Sequence, residues 1–378
     1  MKHNLHFILA TVAVTALVIV ACHKTDSSSS SSSSSSSTTS SSTTSYADSA
    51  VNPSAITVSA CSADTGITKV LCLVSAFKAE LTTTQLDSVQ LTYSKTTAER
   101  WSNLPQALVA SSYKRVGLNF GSMTMVQIEY AKALLKAIAG STSNEGYDEL
   151  QQLLNADQYL NANGGGSDYG AANYYIAFLG TPSTSGTFEI MYGGHHTAFA
   201  NTYSNGALAG ATPSFRGVEP FATFTWDSTS NQPLQQEQAA LTAMLTGLSS
   251  TQLSTAALGS TYSDLVVGPQ EDGNFPTTYS GLQCSNLSTD QKSLVMAAIR
   301  TYVADLADTS AIMTEYTNEL DNTYIAYSGT TGLTTRYDYA RIDGPHVWIE
   351  YSCQGGIIFS ATHPHSVWRD KSTDYGGN

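Results

Sequence analysis

Tyr337-Asp338-Tyr339-Ala340-Arg341-Ile342, the turn Asp343-Gly344-Pro345, and then His346-Val347-Trp348-Ile349-Glu350-Tyr351 form the stretch that decides the fold. Two runs rich in aromatic and branched residues, separated by Gly and Pro, read as an antiparallel hairpin. Upstream the pattern changes period. After Ser288, the residues Leu294, Val295, Ala298, Ile299, Tyr302, Val303 and Leu306 recur at helical spacing. The same succession occurs earlier in the chain. After Thr124, the residues Val126, Tyr130, Ala131, Leu134, Leu135 and Ile138 line one helix face that closes at Gly140. Short β-favouring runs then follow at 174–179, 187–192 and 195–203. Helices therefore fill two blocks, roughly 68–162 and 236–322, each followed by strands. Such segregation predicts an α+β fold, with helical blocks set apart from a mainly antiparallel sheet in one large domain over 51–378.

Thr82-x-x-Gln85, Thr124-x-x-Gln127, Ser249-x-x-Gln252 and Ser288-x-x-Gln291 all have the form of a helix capping box. Because such boxes are common, their recurrence reads as helix punctuation rather than as duplication. Gly164-Gly165-Gly166 lacks the sequel of a nucleotide loop and reads as a flexible turn.

The beginning of the chain is of another kind. Lys2 and His3 precede an apolar run, 5–20, that ends in Ile19-Val20-Ala21-Cys22. The run has the length of a signal-peptide core, and small residues before a cysteine suit a lipoprotein cleavage site. Residues 1–21 are thus expected to be a signal peptide, with Cys22 lipidated and the chain anchored to a membrane through that lipid. An almost pure Ser/Thr tract follows, and 22–50 is expected to be a flexible tether holding the domain on the order of 25 Å from the bilayer, outside the cytoplasm in the cell envelope. No stretch after residue 21 is apolar enough to span a membrane. The net charge of −13, with no basic stretch, disfavours nucleic acid as a partner. Cys61, Cys72, Cys284 and Cys353 suit disulfides in an oxidising compartment. Cys61 with Cys72 closes the shortest loop, which leaves Cys284 with Cys353, and buried free thiols are the alternative.

Of eight histidines, His3, His6 and His23 belong to the leader and tether. The other five, His195, His196, His346, His363 and His365, all lie in or beside the strand-forming regions. His363-Pro364-His365 puts two imidazoles on one face of an extended segment, as two ligands of one metal ion require. Pro364 argues for an edge strand or loop there. In a regular strand His195 and His196 face opposite ways, so both reach one ion only where Gly193-Gly194 makes the backbone irregular. Zinc and copper are the divalent transition metals suited to such a donor set, and affinity order favours copper. Hydrogen-bonded core histidines are the ordinary alternative. Glu350 is expected to point outward from its strand, towards a cleft, as a catalytic acid or base. Arg369 is expected to anchor an anion, with Asn201 and Asp370 supporting the ligands. There is no G-x-S-x-G, H-E-x-x-H or catalytic-cysteine signature.

A longer set of residues carries a resemblance. It begins with Glu99-Arg100-Trp101-Ser102-Asn103-Leu104-Pro105, Arg115-x-Gly117-Leu118, Gly146-Tyr147-x-Glu149-Leu150 and Tyr169-Gly170. It continues with Phe178-x-Gly180-Thr181-Pro182-Ser183, Gly194-His195-His196 with Asn201, and Thr212-Pro213-Ser214-Phe215-x-Gly217. It ends with His363-x-His365-Ser366-Val367-Trp368-Arg369-Asp370. Together these resemble the bacterial family known as domain of unknown function 3500, over most of 70–376. The resemblance implies boundaries and a choice of site residues, and no reaction. His346 lies outside that pattern and outside the expected ligand set.

Two functions follow as expectations. One is a membrane-anchored envelope enzyme, a metal-dependent hydrolase or oxidase using both histidine pairs. The other is a non-catalytic binding lipoprotein for a metal ion, glycan or peptide, for which the 21 tyrosines offer stacking surfaces. A purely structural envelope lipoprotein is a third. For the anchor itself, growth on a clickable fatty acid is expected to label the parent protein and not a Cys22→Ser variant. Equal label in both excludes lipidation at that residue.

Overall fold

A computed structural model describes residues 52–53 and 55–377. The expected signal peptide, the lipidation site at Cys22 and the Ser/Thr tether lie outside the described residues. Among the described residues, no helix is long and apolar enough to cross a membrane. The fold is α+β, with one large sheet and the long helices grouped on one of its faces, while the short Lys95–Ala98 helix packs on the other.

The helices are α1 (Gly66–Ala79), α2 (Thr83–Val89), α3 (Lys95–Ala98), α4 (Met125–Ile138), α5 (Gly146–Leu160), α6 (Gln235–Thr246), α7 (Ser250–Ala256), α8 (Thr289–Val303) and α9 (Ser310–Glu319). The strands of the large sheet are β1 (Gln90–Leu91), β2 (Leu118–Asn119), β3 (Tyr175–Leu179), β4 (Thr187–Gly194), β5 (Thr197–Ser204), β6 (Ala207–Gly210) and β7 (Ser214–Gly217). A small hairpin, β8 (Phe224–Trp226) and β9 (Thr229–Asn231), stands apart. The large sheet continues with β10 (Leu282–Gln283), β11 (Tyr324–Ser328), β12 (Tyr339–Asp343), β13 (Val347–Gln354) and β14 (His363–Asp370). Its order is β1-β3-β4-β5-β7-β14-β13-β12-β11-β10, with β2 on β3 and β6 on β5. Every pairing is antiparallel except β1 with β3.

That order is the same unit written twice. Two helices, a short strand, two more helices and a four-stranded meander occur as α1, α2, β2, α4, α5, β3-β4-β5-β7 and again as α6, α7, β10, α8, α9, β11-β12-β13-β14. Residues repeat with it. Leu81-Thr82-Thr83-Thr84-Gln85-Leu86 returns as Leu248-Ser249-Ser250-Thr251-Gln252-Leu253, and Asn173-x-Tyr175-Ile176-Ala177 returns as Asn322-x-Tyr324-Ile325-Ala326. All four capping boxes form. They also bond in pairs, Gln85 to Gln127 at 3.0 Å and Gln252 to Gln291 at 2.8 Å, which locks each α2-like helix to the next long one. Gly117 and Gly281 take φ of +102° and +107°, and a Cβ at either would meet the carbonyl of Ile176 or Ile325 within 2.4 Å. The capping boxes therefore mark an internal duplication as well as helix starts, and their reading as punctuation alone was incomplete.

The two faces of the sheet are covered differently. Phe178, Ile190, Phe199, Ile342, Ile349, Tyr351 and Trp368 meet the helices in one core that runs across both halves. Ala177, Met191, Ala198, Phe215 and Val367 meet Trp101, Leu265 and Tyr375, which come from irregular segments. Each fully buried side chain of the size of Leu or Phe contributes roughly 1.5–3 kcal/mol, so the shared core binds the halves together.

Two expectations are corrected. β14 is a central strand, between β13 and β7, despite Pro364. Its partner Cys353 directs its own N–H and C=O to Asp338 and Tyr337 of the β12 side, and the ladder with β7 ends at Gly217, so the missing proline N–H breaks no sheet bond. Cys284 and Cys353 are free and buried, in separate places of the core, and burial pushes both thiols up to about 12. Among the described residues only Cys61 and Cys72 are bridged, with Cα atoms 5.9 Å apart. Without reductant, alkylation is expected to modify Cys284 and Cys353 after unfolding and leave Cys61 and Cys72 untouched. Reduction of the bridge, which closes a short loop, should lower stability by about 3 kcal/mol in a denaturant titration. Four alkylatable thiols in the oxidised protein would contradict this assignment.

Candidate metal centre

The site begins with a turn. β4 and β5 pair up to Gly194 opposite Thr197, which leaves His195 and His196 as a two-residue hairpin loop. His196 takes φ of +58°, and this irregular backbone turns both rings to the same side, stacked with centroids 3.7 Å apart. The turn is braced from both directions. Tyr174 Oη donates to the His195 carbonyl at 2.7 Å, and the buried Arg115 guanidinium donates to the Gly194 carbonyl at 2.5 Å.

β14 brings the second pair. Alternation along the strand puts His363 and His365 on the loop-covered face with Val367. The next strand supplies Gly217 opposite His365, and a Cβ there would sit 3.0 Å from both the His196 and His365 rings. A glycine is thus what lets two imidazoles meet across β7. The ring centroids of His196, His363 and His365 form a nearly equilateral triangle with sides of 5.0–5.2 Å. One nitrogen from each lies within 4.8 Å of the others, and the Nε2 atoms of His196 and His365 are 3.2 Å apart.

The surroundings disfavour a proton on two of these rings. Burial, with the neighbouring imidazoles acting in the same direction, lowers His196 well below its ordinary value and takes His363 down to about 3. Asp264 accepts from His365 Nδ1 at 3.0 Å, which leaves Nε2 as the lone-pair nitrogen aimed at the other rings. Burial works to raise the Asp264 carboxyl, but the hydrogen bonds it accepts from His365 and the Leu265 N–H help hold the group below its ordinary value. His195 is tied differently, with its Nδ1 on Asp157 at 2.7 Å and the edge of its ring against Tyr169. It stands beside the three-nitrogen group rather than within it. His363 Nδ1 is buried without a partner.

The structure therefore brings together three of the four expected ligands, with the fourth stacked on them. The supporting residues expected from sequence fall elsewhere. Glu350 does leave the helix-facing core, as the alternation requires, but it is fully buried under a loop. It accepts from the Val266 and Val267 N–H groups, Tyr339 Oη and Trp348 Nε1 at 2.6–2.8 Å, so no catalytic oxygen is left for a cleft. Arg369 is closed by Asp272 and Asp374, leaving no arm for an anion. Asp370 accepts from Tyr316 and Ser372, and Asn201 donates to the Ile138 carbonyl, both on the helix-facing side. His346 lies in the second half, where its Nδ1 meets Glu319 at 2.5 Å.

Three residues at the site were missed from sequence. These are Asp264, Asp157 and Glu219, whose Oε1 collects the N–H groups of Ile357, Ile358 and Phe359 in the loop leading to His363. None lies within a recognisable spacing of a histidine, and only the folded chain assembles them.

Comparison with known proteins adds a family and no reaction. No curated protein and no solved structure matches the chain. A family model described as "Protein of unknown function (DUF3500)" matches residues 63–377, a span that contains the duplicated helices, the whole sheet and every histidine of the site. The chain belongs to that family.

Proposed function

We propose that the protein is an exported, lipid-anchored envelope protein that holds one first-row transition ion, copper or zinc, on His196, His363 and His365. The observation that carries this reading is the convergence of three imidazoles with their nitrogens within 4.8 Å, one of them oriented by a carboxylate. Imidazoles in that arrangement offer converging lone pairs, which is what a copper or zinc ion requires. The orphaned Nδ1 of buried His363 fits the same role. The ligands are 3–7 % exposed, and the acid and base candidates Glu350 and Arg369 are fully engaged elsewhere. Ion capture and retention therefore fits better than hydrolysis at an open cleft. A second reading, a metal-dependent enzyme, draws on one observation. His195 and Asp157 form a buried His–Asp pair stacked on the ligand His196, the arrangement of a general base beside a metal.

Elemental analysis of the purified domain is expected to give about one copper or zinc per chain. His363→Ala combined with His365→Ala should reduce that content at least tenfold, with the circular dichroism of the fold retained. Undiminished metal in the double variant overturns the site. His195→Gln separates the two readings. It should leave metal content near the parent level in either case, and it should abolish turnover only if the enzyme reading holds.

A further inference from the structure

On the helix-facing side of β7 lies a second concentration of ionisable groups. Four carboxylates gather around one guanidinium. Glu145 caps α5, Glu149 lies within it, Glu237 lies in α6, Asp305 follows α8, and Arg216 comes from β7. All five are between 0 and 6 % exposed. Arg216 Nε donates to Glu149 at 2.6 Å, and its other arm reaches Asp305. The remaining oxygen of Glu149 accepts the Leu234 N–H at 2.9 Å, and that of Asp305 accepts the Gly146 N–H at 2.8 Å. Every bond to these two carboxylates is thus one that an ionised group accepts, and Arg216 neutralises only one of them.

Glu145 and Glu237 have no such compensation. No donor reaches Glu145 Oε2, and none from another residue reaches either oxygen of Glu237, which has only its own backbone N–H nearby. Glu237 is 1 % exposed, and it stands close enough for its charge to act on Glu149, Glu145 and Asp305. The Tyr351 hydroxyl, also within reach of the Glu237 charge, is buried without a partner. Oxygens of Glu145, Glu149 and Asp305 lie within 4.8 Å of one another. Isolated buried carboxylates cost several kcal/mol each unless a cation meets them. The donor set is oxygen alone, with no imidazole and no thiol, and this selects a hard ion over copper or zinc.

We propose that Glu145, Glu149 and Asp305 hold one hard divalent cation of the calcium class, with the charge of Glu237 acting on the same site. The cation removes two of the three negative charges in excess around Arg216. Its ligands come from the start of α5 in the first half and from the end of α8 in the second, so it fastens the halves together at their buried seam. A site this enclosed fills as the chain folds and exchanges only when the halves part. The proposal does not depend on an ion at the histidines.

The full chain, unfolded and refolded from chelator-treated buffer with calcium, with magnesium or with neither, provides the test. About one calcium per chain is expected to survive gel filtration, with a higher thermal midpoint than in the ion-free sample. Glu237→Gln and Glu145→Gln keep the side-chain volume and remove one charge each. Each should lower retained calcium at least tenfold while leaving any copper or zinc content as in the parent. Two results overturn the proposal. One is a parent that retains neither calcium nor magnesium and shows no shift of midpoint, in which case the carboxyls hold protons. The other is full calcium content in both variants. Should one variant fail to fold, the parent stoichiometry and the other variant decide the matter.

Discussion

The pairing of β7 with β14 is the contact on which the rest of the molecule depends. It is only four residue pairs long, Ser214 with Trp368 through Gly217 with His365, and it joins two four-stranded meanders into one sheet. Its register also sorts the chemistry. Phe215, Val367 and His365 turn to the loop-covered face, whereas Arg216, Ser366 and Trp368 turn to the helices. A slip of one residue would exchange these sets, placing Arg216 against Trp101 and His365 in an apolar helical core. The imidazole cluster and the carboxylate cluster thus sit back to back because a single ladder separates them.

Rigidity reaches the histidines by a relay rather than by direct contact. Glu350 fixes the backbone at Val266 and Val267, two residues beyond Asp264, which in turn bonds to His365. The carboxylate nominated for chemistry therefore acts as a clamp on the segment that orients a ligand. Arg369 has a comparable part at the other end of β14, where Asp272 and Asp374 draw the covering segments onto Trp101, Phe275 and Tyr375.

Elements with a strong internal period were legible in the sequence. The helices after Thr124 and Ser288 begin at their boxes, and the hairpin at 339–354 falls where alternation and turn residues put it, whereas the hairpin at 187–204 turns at His195-His196, inside the run read as strand, and not at Gly193-Gly194. The two histidine pairs were legible as pairs because i, i+2 geometry is local, and their convergence was inferred without knowledge of the strand order. What was not legible depends on distant chain. Pro364 reads as an edge residue until the neighbouring ladder is known to stop beside it. Glu350 reads as exposed because alternation tells which face a residue takes, and says nothing of what covers that face. Cys284 and Cys353 are even in number yet remote in the fold. The duplication was visible only as four capping boxes, because its most faithful repeat, Asn-x-Tyr-Ile-Ala, gains meaning once both copies occupy the same place in a meander.

The repeat has an ancestry written into its backbone. His196 and His346 occupy the same place in their halves, each with its carbonyl accepting an N–H at the end of the neighbouring strand, from Gly217 at the last residue of β7 and from Lys371 just past β14, both at 2.8 Å. A lone half would end in an uncovered strand with a free row of amides and carbonyls, the kind of edge that pairs with another chain. The most economical precursor is therefore a two-fold homodimer of such halves, closed edge to edge. The two loops now meet different partners: His196 stacks on other imidazoles, whereas His346 turns to Glu315 and Glu319 of α9.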